Sequence, residues 1–128
     1  MERFLGKYSP YIYAIVRFIA GLMFAMHGSQ KLFGWPVAGP PHLTGLLQAA
    51  GIIELVCGLM IALGLLAGYA AFLAAGEMAF AYFIQHYPHG FLPIANQGDL
   101  AVLNCFLFLY IASQGSGTWS IDRLLKRK

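Results

Sequence analysis

The sequence predicts an all-α integral membrane protein, a four-helix up-down bundle with both termini on the cytoplasmic side. Of the 128 residues, 59% are hydrophobic and only 10% charged, whereas a soluble domain carries about 25% charged residues. The apolar residues fall into long runs of the kind needed to cross the ~30 Å hydrocarbon core of a bilayer. The basic residues collect at the two chain ends, with Arg3 and Lys7 at one and Arg123, Lys126, Arg127 and Lys128 at the other.

Residues 1–10 form a short amphipathic lead-in. The first span covers residues 11–33. Trp35 follows as an interfacial anchor, and Pro36, Gly39, Pro40 and Pro41 break the helix. A basic start before an apolar run also describes a signal peptide. This run is too long, contains Arg17 and continues to His27 and Lys31 without a small-x-small cleavage site, so it reads as a span. The second span covers residues 46–66, with Gly68 close to a tight turn. The third covers residues 69–86 and stops before Pro88. Gly90, Pro93 and Gly98 mark a loop over residues 89–98.

The fourth run, Leu100 to Ala112, is short by itself, and topology decides it. Apart from Lys31, the connecting loops carry no Lys or Arg. The positive-inside rule then places both termini in the cytoplasm, which requires an even number of crossings. The fourth span therefore covers residues 97–113, and Trp119 marks the inner interface. Ile121, Leu124 and Leu125 against the four basic residues of the C-terminal end predict an interfacial helix on anionic lipid. The whole chain, 1–128, reads as one domain. Its net charge of +3 is too terminal to form a groove-reading surface, which excludes nucleic acid as a partner.

Ionisable groups inside a bilayer are expensive, so they pair, relay protons or hold a polar ligand. Arg17, Glu54 and Glu77 each lie within an apolar run. At ~1.5 Å per residue they sit about 9–10, about 18 and about 12 Å from the cytoplasmic ends of their helices. Arg17 is expected to reach one of the two carboxylates. A buried structural ion-pair network is the alternative reading of the same three groups. Arg17, Phe24, His27 and Lys31 stack on one face of the first helix, and a polar face on a membrane helix turns inward. With His86, His89, Asn96 and Asp99 they outline a polar mouth leading from the outer side to a charged centre.

Small residues support close packing there: Gly51 and Gly58 lie seven apart, and Ala70, Ala74, Glu77 and Ala81 share a face. Phe24, Phe80, Tyr82, Phe83, Phe106 and Phe108 are candidates to line a ring pocket. No metal site is predicted, because Pro88 interrupts the helix between His86 and His89. Cys57 and Cys105 read as packing groups rather than a redox pair, having no CxxC motif or flanking base.

These residues carry a family resemblance. Arg17 with the stretch Gly28 to Leu32 resembles the first-helix signature of the DoxX family. Gly51, Glu54, Gly58 and Gly64 resemble its second-helix pattern. Glu77 to Phe83 with His86, Pro88, Gly90, Phe91, Pro93 and Asn96 resemble its third helix and loop. Gly98, Asp99, Ala101, Phe106, Phe108, Leu109, Gly115, Gly117, Trp119, Ser120 and Asp122 resemble its ending. The resemblance implies a bacterial-type inner-membrane protein, similar to the small membrane subunit of thiosulfate:quinone oxidoreductase.

The function expected is a redox-associated membrane subunit that binds a quinone-type or other amphipathic ligand. Glu54 and Glu77 would exchange protons, while Arg17, His27, Lys31, His86, Asn96 and Asp99 would bind the ligand. No flavin, haem or iron–sulfur motif is present in the sequence, so electrons would come from a soluble or membrane redox partner. Beyond the lipid bilayer and that partner, homo-oligomerisation is left open. A small transporter subunit and a non-catalytic scaffold of a membrane complex are the rival readings. The topology has a direct test. Cysteines introduced as Arg3→Cys and Lys126→Cys should both be shielded from an impermeant thiol reagent added to intact cells. Labelling of only one terminus would contradict an even number of crossings.

Overall fold

A computed structural model describes residues 1–126; Arg127 and Lys128 of the basic C-terminal end lie outside the described residues. Helix α1 (Glu2–Leu5) and a 3-10 turn, Gly6–Tyr8, lead into α2 (Ser9–Phe33). Pro10 sits in the first turn of α2, where the N–H it lacks has no helical partner to lose. Gly34 closes the helix in the left-handed conformation, and its N–H donates to the Gln30 carbonyl. Helix α3 (Gly45–Leu63) starts at Thr44, whose side chain accepts from the Leu47 N–H at 3.2 Å. Helix α4 (Ala67–Ala81) continues through a π-helical segment, Tyr82–His86, and a 3-10 turn, Tyr87–His89. The short α5 (Pro93–Asn96), then α6 (Asp99–Gln114) and α7 (Ile121–Lys126) complete the chain. The described residues contain no strand.

Three helical rods, Glu2–Phe33, Gly45–Leu63 and Ala67–His89, are long and apolar enough to cross a membrane, and α6 is a shorter apolar helix. Two element boundaries differ from the sequence expectation. The second helix stops at Leu63 rather than residue 66, because Gly64 and Leu66 both take left-handed backbone conformations and turn the chain at once. The loop expected over residues 89–98 contains α5, started by Pro93 in its first turn.

Helix α2 packs on α3, α3 on α4, and α4 on α6. Tyr13 of α2 donates to the Gly115 carbonyl at 2.6 Å, and the Leu66 N–H donates to Asp122 at 2.9 Å. These contacts gather the start of α2, the end of α3, the start of α4 and the end of α6 at one end of the bundle, here the terminal end. The opposite end is the far end. Ala70, Ala71, Ala74 and Ala75 of α4 bury a small-residue face against Cys57, Ile61, Phe108 and Ile111. The Phe24 and Phe108 rings close this core with centroids 4.7 Å apart. Cys57 belongs to the core, Cys105 packs against it, and both are free thiols.

The tightest contact is between α2 and α3. A Cβ at Gly21 would lie 2.6 Å from the Gly58 carbonyl oxygen, and one at Gly28 would lie 2.6 Å from that of Gly51. The two glycine pairs are seven residues apart on antiparallel helices, so the backbones touch over two turns. Membrane helices associate through such van der Waals contact, since lipid offers no hydrophobic gain. Gly58→Leu is expected to lower stability in detergent by at least ~1–3 kcal/mol through overpacking. Gly76→Ala, with nothing within 4 Å of an added Cβ, should be neutral or stabilising. A shared loss of stability at both positions in thermal unfolding would contradict this packing.

Candidate functional site

Above the Phe24–Phe108 pair, towards the far end, the helices part around a cavity of about 390 Å³. Most of its wall is apolar, with Ala50, Ile53, Met78, Phe80 and Ala81 among the lining residues. Helix α2 contributes His27 and Lys31, α3 contributes Glu54, and α4 with its π-helical extension contributes Glu77, Gln85 and His86. Gln97 and Asn104 close the side formed by α6 and its approach.

The strongest polar contact is the ion pair of Lys31 with Glu54. The Lys31 Nζ lies 2.6 Å from both carboxylate oxygens. The Glu54 side chain is 3% exposed and that of Lys31 24% exposed, so the pair is fully inside the protein at its carboxylate end. Helical geometry explains the choice of partner. Cα–Cβ bonds tilt towards a helix's N-terminus, so Lys31, in the last turn of α2, reaches back into the bundle. The glycine contact between α2 and α3 brings Glu54 within that reach.

The same tilt carries Arg17, which starts nearer the N-terminus of α2, away from the cavity. Arg17 is 1% exposed and points to the terminal end. Its Nε donates to the Ile61 carbonyl at 3.0 Å. Its terminal nitrogens donate to the carbonyls of Ser116, Thr118 and Trp119. Ile61 is in the last turn of α3, where a cation is favoured, and its carbonyl also accepts from the capping Gly64 N–H at 3.2 Å. Ser116 continues the network, because its Oγ donates to Asp122 at 2.6 Å. The expected pairing of Arg17 with Glu54 or Glu77 is therefore corrected. Ile61 lies about 10 Å along α3 from Glu54, and Arg17 does not line the cavity.

Glu77 lies beside Glu54 and differs from it in one respect: its Oε2 is buried with no hydrogen-bond partner. His86 is oriented by its Nδ1–H, which donates to the Asn96 carbonyl at 3.1 Å. A carbonyl only accepts, so Nδ1 carries a proton, and Nε2 is not used in this contact. Asn96 itself is buried in the loop. Its Nδ2 donates to the Gly90 carbonyl at 2.7 Å and to the Tyr82 hydroxyl at 3.2 Å, and its Oδ1 accepts from the Gly98 N–H at 2.9 Å. The Tyr82 hydroxyl donates to the Phe91 carbonyl.

Of the residues singled out by sequence, the cavity thus gathers His27, Lys31, Glu54, Glu77 and His86. It does not gather Arg17, Asn96 or Asp99; Asp99 is exposed in the first turn of α6, and His89 is exposed as well. Phe24 and Phe80 line the wall, whereas Phe83 and Phe106 are 59% and 65% exposed and face outward. Gln85, Gln97 and Asn104 were missed. The spacing Ala101, Asn104, Phe108 is an inward helical stripe of α6 of the kind that identified α2, whereas Gln97 precedes that helix in a left-handed conformation that no periodicity marks. Among the described residues, no group of three or more His, Cys, Asp or Glu is placed to hold a metal ion.

Comparison with known proteins places this geometry in context. A family model described as DoxX matches residues 12–87. The chain is 39% identical to an uncharacterized protein of Haemophilus influenzae, over 97% of this chain and 98% of that one. It is 30% identical to an uncharacterized membrane protein of Mycobacterium tuberculosis, over 98% of this chain and 88% of the relative. No solved structure matches the chain.

The ion-pair assignment predicts a specific double-mutant result. Lys31→Met should destabilise the bundle by roughly 3–5 kcal/mol, since it strands a buried carboxylate. Adding Glu54→Gln should recover most of that loss. Arg17→Gln combined with Glu54→Gln should be additive to within ~0.5 kcal/mol. Strong coupling of Arg17 to Glu54 in unfolding titrations would contradict the assignment.

Proposed function

The chain belongs to the DoxX family, and on that premise we propose that it is a redox-associated subunit of the bacterial inner membrane that binds a quinone-type ligand in the cavity. In this reading α6 makes the fourth crossing and both termini are cytoplasmic. The basic residues at both ends support that orientation. At about 24 Å, α6 is shorter than the hydrocarbon core, and the α5 segment before it carries the chain to the far surface.

The observation that carries the proposal is the combination of a cavity of ligand size with an ion pair and an unpartnered carboxyl oxygen in its wall. A structural salt bridge alone needs neither the space nor the second carboxyl group. The apolar wall suits a ring, and Lys31, together with Glu77 in its protonated form, would donate to its carbonyl oxygens. A second cavity, of about 310 Å³, shares Phe24, His27, Leu100 and Asn104 with the first. Its other walls are Leu107 of α6 and residues of α2, among which Ile15, Ile19 and Met23 face outward. Such a side opening suits an apolar tail and lateral access from lipid.

A quinone supplies two-electron, two-proton chemistry at its carbonyl oxygens. The electrons come from a partner protein. Within this chain, Lys31 holds Glu54 and keeps a positive charge at the cavity wall. Glu77, whose Oε2 has no hydrogen-bond partner, would in its protonated form supply one of the two protons and be reprotonated, for the second, through the histidines of the cavity wall. His86 is fixed by Asn96 through Nδ1, and with His27 it connects the cavity to the far surface. Arg17 has no part in the chemistry; it locks the opposite end.

Purification from membranes in mild detergent, followed by mass spectrometry of bound small molecules, tests the proposal. Wild type should retain quinone. Glu77→Gln should retain the fold and lose proton-coupled turnover with a donor. Ala50→Trp, which puts a ring into the cavity, should lose the quinone. Equal quinone in wild type and Ala50→Trp would refute the site.

A further inference from the structure

A second recess lies at the terminal end, separate from the cavity. It is a groove of about 740 Å³ between the first half of α2, the last turn of α3 and α7. Tyr11 and Trp119 stand at its rim with ring centroids 5.0 Å apart. Phe18, Leu63 and Leu124 supply the rest of its apolar lining. Tyr11 and Phe18 are seven residues apart, so the aromatic wall runs about 10 Å along α2. Phe18 is 45% exposed and Leu63 50% exposed, which leaves the groove open sideways.

Its shape is held by the Arg17 network. The Trp119 carbonyl accepts from Arg17, which fixes the backbone that presents the Trp119 ring. Ser120 is buried against the Gly64 turn, and its Oγ accepts from the Arg123 N–H at 3.3 Å. This places the exposed Arg123 side chain at the rim.

Charge identifies the occupant. Arg3, Lys7, Arg123 and Lys126 are all exposed at this end. The acidic groups there are Glu2 and Asp122, and Asp122 is engaged by Leu66 and Ser116. A recess with an aromatic and basic rim and an apolar, sideways-open floor matches a lipid with a negatively charged head group. We propose that this groove is a binding site for an anionic phospholipid, with the phosphate at Arg123 and the acyl chains along Phe18 and Leu63. Arg17 is then a positioning residue for the lipid site rather than for the cavity.

Trp119 reports on the groove directly. In a Trp35→Phe background it is the sole tryptophan. Brominated phosphatidylglycerol should quench its fluorescence more strongly than brominated phosphatidylcholine at equal mole fraction. Arg123→Gln should weaken that preference about fivefold, while Lys126→Gln, outside the groove, should change it less than about twofold. Native mass spectrometry of the unmodified protein should show retained phosphatidylglycerol in preference to phosphatidylcholine. Equal quenching by the two lipids would overturn the proposal. So would a Lys126→Gln effect as large as that of Arg123→Gln, which would signify diffuse surface charge without a site.

Discussion

Backbone contact between α2 and α3 is the constraint on which the interior depends. Gly21 and Gly28 meet Gly58 and Gly51 with no room for a Cβ, so the helices lie closer than side chains would permit. That closeness lets Lys31 reach both oxygens of Glu54. A carboxylate that is 3% exposed in an apolar bundle requires such a partner. With Glu54 satisfied, Glu77 is left as the carboxyl group with an unpartnered buried oxygen. The asymmetry between two neighbouring glutamates thus originates in four glycines on other turns of the bundle.

The two ends of the bundle solve different problems. At the terminal end, Arg17 donates to carbonyls at the end of α3 and in the 116–119 segment. Its charge is spent on backbone, and Ser116 and Asp122 extend the network to the α3–α4 turn. At the far end, the loop is fixed by Asn96, which ties Tyr82, Gly90 and Gly98 together. Between these two locked ends lies the cavity. A rigid frame around an apolar recess with a few convergent polar groups is the arrangement expected of a ligand site.

Much of this was legible in the sequence. The apolar runs located the three long helices and the shorter fourth one to within a few residues. The spacing of Gly51 and Gly58 pointed to close packing, and the stripe of His27 and Lys31 pointed inward. The inward placement of Glu54 and Glu77 also followed from their cost in lipid. Arg17 was misassigned because depth alone does not fix where a long side chain ends. Its reach of several ångström is directed by the helix towards the N-terminus, away from both carboxylates. Gln85, Gln97 and Asn104 were missed because neutral amides carry little cost signal and two of them lie outside the regular helices. Asn96 looked like a ligand group from its position in a polar loop, yet its hydrogen bonds are all spent on that loop.

The central claim is that the cavity beside Lys31, Glu54 and Glu77 holds a ring-sized amphipathic ligand. Photolabelling with an azidoquinone, followed by peptide mapping, tests it most directly. The account predicts adducts between Glu77 and His86 and between Gln97 and Asn104, suppressed by excess unlabelled quinone. Adducts confined to the terminal-end groove around Tyr11 and Phe18, or labelling that excess quinone does not suppress, would contradict it.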